Sequence, residues 1–200
     1  MTTGSNESLR RTQILRAAER LLVHYGLQKT TIGDIAREAR IGVGTVYLEF
    51  ESKDAIVLEI SRVRHADVLK AMREIAVGPG SYEERLREML DRRCQMFLAI
   101  KEVGQHAHEL VHCVCPAVKD AHQRFQQEEH QMLRELLQAA NRQGEFSIKD
   151  PELTATALQR AYAAFTPPWL YSQPRDEVEP LLKAMHQLVL QGLLKRRNGR

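Results

Sequence analysis

Six residues between positions 106 and 122 form the densest group of potential metal ligands in the chain: His106, His108, His112, Cys113, Cys115 and His122. On an uninterrupted helix, His108, His112 and Cys115 stand at i, i+4 and i+7 and therefore share one face. Neutral imidazole and thiolate suit zinc or another borderline metal, and a Cys-Pro pair such as Cys115-Pro116 occurs in short haem-responsive motifs. Two plainer readings stand beside this one: Pro116 ends the helix early and spoils the alignment, and the cysteines are small buried hydrophobes. Catalysis has little to build on, because Glu109, the carboxylate nearest the cluster, points to another helix face. There is also no HExxH, P-loop, nucleotide-binding glycine pattern or Ser/His/Asp set. The chain reads as a non-enzyme that calls for no cofactor, with a metal-, haem- or thiol-responsive site at His108, His112 and Cys115 as the alternative.

The elements that carry these residues are helical. Of 200 residues, 43% are hydrophobic, 28% charged and only 6% aromatic, with 11 Gly and 7 Pro. That content is too apolar for disorder and too poor in Gly and Pro for collagen-like or low-complexity designs. Straight-chain and small helix formers dominate, β-branched and aromatic residues are thinly spread, and no segment alternates with period two. The expected fold class is all-α. Three cysteines without a disulfide-like spacing, no leader pattern in Met1 to Glu7 and no apolar run of about 20 residues predict a soluble cytoplasmic protein without a membrane partner.

Charge is unevenly placed. Residues 1–53 hold 8 Lys and Arg against 6 Asp and Glu, residues 54–194 hold 17 against 20, and residues 195–200 hold 4 against none, which together make the net +3. A slightly basic head before a mildly acidic body fits a small DNA-touching module ahead of a larger one. The basic tail, Lys195, Arg196, Arg197 and Arg200, also suits a helix C-terminus.

Ile14, Leu15, Ala18, Leu21, Leu22 and Tyr25 trace one helix over about 9–25, closed by Gly26. Thr31 and Asp34 form a capping-box-like start for a short helix over about 32–39. Arg40, Ile41 and Gly42 connect it to a second short pattern containing Val46, Tyr47 and Phe50, a spacing that reads as helix-turn-helix. Ser52 opens a long helix to about 76, and Val77-Gly78-Pro79-Gly80 breaks the chain. Ser81 begins another, and further helices are predicted near 105–114, 117–142, 151–165 and 175–195.

Residues 12–54 carry several motif pieces in fixed order. They run through Thr12-Gln13-Ile14-Leu15, Tyr25-Gly26, Lys29-Thr30-Thr31-Ile32-Gly33-Asp34-Ile35-Ala36, Gly44-Thr45-Val46-Tyr47 and Phe50-Glu51-Ser52-Lys53-Asp54. This stretch resembles the TetR family of transcriptional regulators. The resemblance implies a helix-turn-helix DNA-binding domain over 1–53 and a helical ligand-binding and dimerisation domain over 54–200. It further implies a homodimer that binds double-stranded operator DNA through both heads, usually as a repressor released by a small-molecule effector.

By that resemblance Thr31, Tyr47 and Lys53 are placed at phosphates, and Gly44 and Thr45 are the small residues that let the recognition helix enter the groove. Thr31 as a simple cap and Tyr47 as a packing residue are the plainer readings. Arg40 stands where the family usually has Gly, and Gly42 where Ser or Thr usually caps the recognition helix. Arg40 is read as a phosphate contact or an ordinary solvent-facing arginine. Val43, Leu48 and Glu49 leave the recognition helix without Lys or Arg, so the bidentate reading of guanine is absent from it. Val43, Thr45 or Leu48 against thymine methyls, and Glu49 accepting from cytosine, remain for base readout; alternatively Glu49 sits away from the groove.

In the body, Leu181, Leu182, Met185, Leu188, Val189, Gly192 and Leu193 make a wide apolar stripe, and Ala157, Leu158, Ala161, Ala164 and Phe165 another. Paired across two subunits these would form a four-helix interface; a monomer core is the plainer reading. Met89, Phe97, His108, Tyr162, Phe165 and Trp169 are the predicted walls of an effector pocket and serve equally as core. An effector would bias a body state that holds the heads at a spacing unsuited to DNA. A constitutive, effector-blind DNA-binding protein remains the second alternative.

Overall fold

The computed structural model describes residues 3–112 and 116–193. Cys113, Cys115 and the basic tail from Lys195 onward lie outside the described residues, as do the side chains of residues 3–7. The described residues form helices and no strand: α1 (Thr3–Tyr25), α2 (Ile32–Glu38), α3 (Val43–Glu49), α4 (Lys53–Ala76), α5 (Tyr82–Glu102), α6 (Pro116–Arg142), α7 (Pro151–Ala161), α8 (Trp169–Ser172) and α9 (Arg175–Leu193). Two single 3-10 turns, Ala107–Leu110 and Ala163–Phe165, interrupt the series. Of the helix expected over 105–114, the described residues 105–112 form only the first of these turns. Tertiary hydrogen bonds override its propensity: the His106 N–H donates to Val23 O at 3.0 Å, and Glu109 Oε2 accepts from the Leu27 N–H at 2.9 Å. His108 and His112 consequently do not stand on a continuous helix, and among the described residues no group of three His, Cys, Asp or Glu could hold a metal ion.

The chain divides into two compact units, residues 1–65 with 99–123 and residues 66–98 with 124–200. In the first, α1 packs on α2 and α3 through Ile14, Ala17, Ala18 and Leu22, which meet Ile35, Ala36, Val46 and Phe50 in a closed apolar core. Side chains of α1 also satisfy carbonyls at the ends of the short helices, which have no partner within the helix. Gln13 Nε2 donates to Ala39 O at 2.6 Å and Arg11 Nη1 to Glu49 O at 2.9 Å. The expected capping box is present, with the Asp34 N–H donating to the Thr31 hydroxyl and the Thr31 N–H to Asp34 Oδ2. Gly26 has φ 82°, the left-handed conformation that ends α1, and Arg40 between α2 and α3 has φ 54°. Burial pushes the His65 imidazole of α4 down to about 4; a hydrogen bond to Ser61 O opposes the shift and the His122 ring, 5.7 Å away, adds to it.

In the second unit Met72, Leu86, Met89, Leu90, Phe97, Phe125, Leu133 and Leu137 form the core. Arg93 of α5 and Glu129 of α6 make a fully buried ion pair, and Glu129 also accepts from Gln159 Nε2 of α7 at 2.9 Å. Asp150 caps α7 by accepting from the Leu153 N–H, with Pro151 at its first turn.

Two measurable consequences follow. An unfolded imidazole titrates near 6.5 and the folded His65 near 4, so between those values the unfolded chain binds more protons. Stability should therefore fall as pH drops through that window, by about 3 kcal/mol from this one group. Urea midpoints across pH 7.5 to 4 should show a steeper loss in the wild type than in His65→Gln. At Arg40, a glycine relieves the left-handed strain, and Arg40→Gly should raise unfolding free energy by about 1 kcal/mol in the same assay.

Candidate nucleic-acid interface

A seven-residue helix presents two faces, and in α3 they differ sharply. Val46, fully buried, and Phe50 just past the helix end turn inward, with the Arg11 guanidinium 4.1 Å above the Phe50 ring. Val43, Tyr47 and Leu48 turn outward and are 45%, 54% and 82% exposed. Leaving these three large side chains in water is unfavourable unless a partner covers them. Gly42 caps α3 through extended backbone with no side-chain bond, Gly44 has open space where a side chain would begin, and Thr45 is half-buried.

Around this face stand the polar candidates. Arg40 is exposed at the α2–α3 turn. Thr31 is exposed at the start of α2, where its hydroxyl donates to Asp34 Oδ2 at 2.6 Å. Those bonds from Thr31, with Arg37 nearby, hold the Asp34 carboxyl below the usual carboxylate range. Lys53, at the first turn of α4, donates from Nζ to Leu27 O at 2.7 Å and Thr30 O at 3.0 Å. Two of its three ammonium protons thus secure the α1–α2 turn.

Glu49 does not join the outward face. Its side chain is 6% exposed and its carboxylate pairs with Arg10 Nε at 3.4 Å, which favours the reading that places Glu49 away from the groove over a cytosine contact. The sequence carried a signal for this, because Glu49 lies three residues after the buried Val46 and so on the same helix face. The roles of Arg10, Arg11 and Gln13 had no local signal; each depends on a partner more than 20 residues away.

The predicted effector residues are dispersed. Met89, Phe97, Tyr162 and Phe165 are buried in the second unit, with Tyr162 and Phe165 in ring contact at 5.9 Å, whereas Trp169 is 63% exposed and His108 belongs to the first unit. A cavity of about 770 Å³ lies between α5 and α9, and its walls include Asp91, Cys94, Leu98, Leu182, His186 and Leu190. Sequence reasoning missed it because its polar residues belong to two distant helices. His186, buried, connects Asp91 Oδ1 at 2.9 Å from Nε2 with the Tyr162 hydroxyl at 2.8 Å from Nδ1. Burial raises the Cys94 thiol to about 11, which keeps it protonated and unreactive at neutral pH. Burial likewise lifts the Tyr162 phenol above its ordinary range.

Residues 14–60 match the model for the bacterial regulatory proteins of the tetR family, and residues 83–184 match the tetracyclin repressor-like C-terminal domain. The HTH-type transcriptional regulator Mb1581 of Mycobacterium bovis is 32% identical over 152 residues, spanning 73% of this chain and 70% of that protein. A TetR/AcrR-family regulator from Thermobifida fusca shares the fold with a TM-score of 0.72 at 22% identity, covering 96% of this chain and 99% of that one. FadR of Bacillus subtilis, solved with stearoyl-CoA, has a TM-score of 0.71 at 16% identity, covering 90% and 98%. Among the described residues no helix is long and apolar enough to cross a membrane. With the head and the C-terminal region each matched in order and a relative of that similarity, this chain belongs to the TetR family of transcriptional regulators.

Proposed function

We propose that the chain acts as a homodimeric repressor that holds operator DNA through α3 and releases it when a small molecule enters the second unit. The observation that carries the DNA-binding part is the outward face of α3, where Val43, Tyr47 and Leu48 lie exposed opposite the face that packs into the head. Inserted in a major groove, Val43, Leu48 and the Thr45 methyl meet thymine methyls, while the Tyr47 hydroxyl, Arg40, Thr31 and the remaining proton of Lys53 reach phosphates. No guanidinium or ammonium of α3 itself is available for guanine.

Dimerisation is supported by two outward apolar faces. On α9 Leu181 and Leu188 are exposed with Met185 between them, a spacing of i, i+4 and i+7, and Leu188 is 74% exposed. On α7 Leu153, Ala157 and Ala161 point outward at i, i+4 and i+8. Joining both faces across a two-fold axis buries them in a four-helix interface, and a dimer that reads two half-sites needs recognition helices about 34 Å apart. The effector part rests on the cleft between α5 and α9, large enough for a small molecule and equipped with the Asp91–His186 pair as a polar anchor.

Selection of duplexes from a random library should return two half-sites about 10 base pairs apart, centre to centre. Against the selected duplex, Leu48→Ala should relax preference at a single thymine position, with a loss of about tenfold, whereas Tyr47→Phe should weaken all duplexes alike. Enrichment of no sequence by the wild-type chain would overturn the DNA-binding reading. In sedimentation at micromolar concentration the wild type should run as a dimer and Leu188→Glu as a folded monomer; a wild-type monomer refutes the interface.

A further inference from the structure

The α1–α2 turn is held from a part of the chain that lies outside the helix-turn-helix. Past the end of α1 the Gly26 N–H still donates to Leu22 O at 2.9 Å, but the next amide, that of Leu27, has left the helix. Glu109 Oε2 takes it at 2.9 Å, across 82 residues of sequence. On the other side of the same residue, Leu27 O accepts from Lys53 Nζ at 2.7 Å. The Leu27 backbone is thus gripped by a carboxylate at its N–H and by an ammonium at its carbonyl. Lys53 extends the grip to Thr30 O, immediately before Thr31, the cap of α2.

The 3-10 turn that carries Glu109 is itself fixed to α1. Glu109 Oε1 lies 2.7 Å from His106 Nδ1, and the His106 N–H donates to Val23 O at 3.0 Å. Gly104 and Gly26 make the approach possible. A Cβ at Gly104 would run into the Val23 side chain, and one at Gly26 would come within 2.9 Å of His106 Nδ1. Burial alone would raise the Glu109 carboxyl; the Leu27 N–H and His106, with His108 nearby, instead hold it below its ordinary range. It therefore meets Leu27 as a full anion at neutral pH, in a charge-assisted bond stronger than a neutral one.

We propose that Glu109 is a positioning residue for DNA binding, which fixes the α1–α2 turn through the Leu27 amide and so sets where α2, and α3 packed on it, stand. This rests on the reading of α3 as the DNA-binding element. Reach matters more than charge: the carboxylate must extend far enough to accept from Leu27, and a neutral carbonyl at the same distance serves in part.

Three variants in the full chain separate reach from charge: Glu109→Gln, Glu109→Asp and Glu109→Ala. Affinity for the selected duplex is read by fluorescence anisotropy, and backbone amide exchange across residues 26–31 is read without DNA. Glu109→Gln should stay within threefold of the wild type. Glu109→Asp, shorter by one methylene, and Glu109→Ala should each lose about tenfold and expose the Leu27 amide to faster exchange. Glu109→Asp keeps the charge and solubility of the wild type, so it reports even where Glu109→Ala folds poorly. The reverse order, with Asp retained and Gln lost, assigns the effect to charge and overturns the proposal. So does wild-type affinity with unchanged exchange in Glu109→Asp and Glu109→Ala. If the wild-type chain selects no duplex, the DNA-binding reading fails on its own, and the exchange measurement still decides whether Glu109 holds the turn.

Discussion

A helix of seven residues has no stability of its own, since nucleation costs more than its few internal hydrogen bonds return. α3 exists and points in one direction only because Val46 and Phe50 are buried against the rest of the first unit. Much of the head's remaining architecture serves that constraint. α1 offers Arg11 and Gln13 to carbonyls at the ends of α3 and α2, and Arg10 pairs with the Glu49 carboxylate. Each of these contacts uses a side chain whose charge or polarity would otherwise suggest a role at the DNA. The result is an outward surface from which the acidic side chain of α3 has been withdrawn.

Different polar contacts stand out in the two units. The first relies on side chains that meet backbone groups: Gln13 at Ala39, Lys53 at Leu27 and Thr30, Glu109 at Leu27. These contacts fix turns, where backbone groups lack regular partners. The second includes polar side chains that meet each other, Arg93 with Glu129 in the apolar core and His186 with the half-buried Asp91 on one side and Tyr162 on the other. A buried ion pair adds little net stability relative to a well-packed apolar replacement, but breaking one partner leaves an uncompensated charge. Arg93 and Glu129 are thus best understood as dictating which face of α5 meets α6.

Much of the head was legible in the sequence, for identifiable reasons. The Thr31–Asp34 capping box, the left-handed Gly26 and the apolar spacing of α1 are local codes that fold as written. The long helices of the body are similarly marked by their periodicity and by the Val77-Gly78-Pro79-Gly80 break. Legibility ended where a partner distant in sequence decides the outcome. Residues 105–114 have the composition of a helix, yet hydrogen bonds to Val23 and Leu27 draw the described part, 105–112, into a single tight turn. The cavity was not legible, because aromatic and apolar side chains such as Phe97 and Tyr162 suit a filled core as well as an empty pocket. The cavity instead borders Asp91 and His186, which lie 95 residues apart and pair only in the folded chain.

The outward face of α3 combines exposed valine, tyrosine and leucine with no basic residue. Under the proposed reading, covering such a surface removes apolar area from water and contributes a negative heat-capacity change, while the ionic-strength dependence rests on the few cations at its rim, Arg40 and Lys53. The enthalpy of association at this face then changes markedly with temperature even where the affinity does not. Temperature, more than salt, becomes the variable that reveals how this regulator distinguishes one sequence from another.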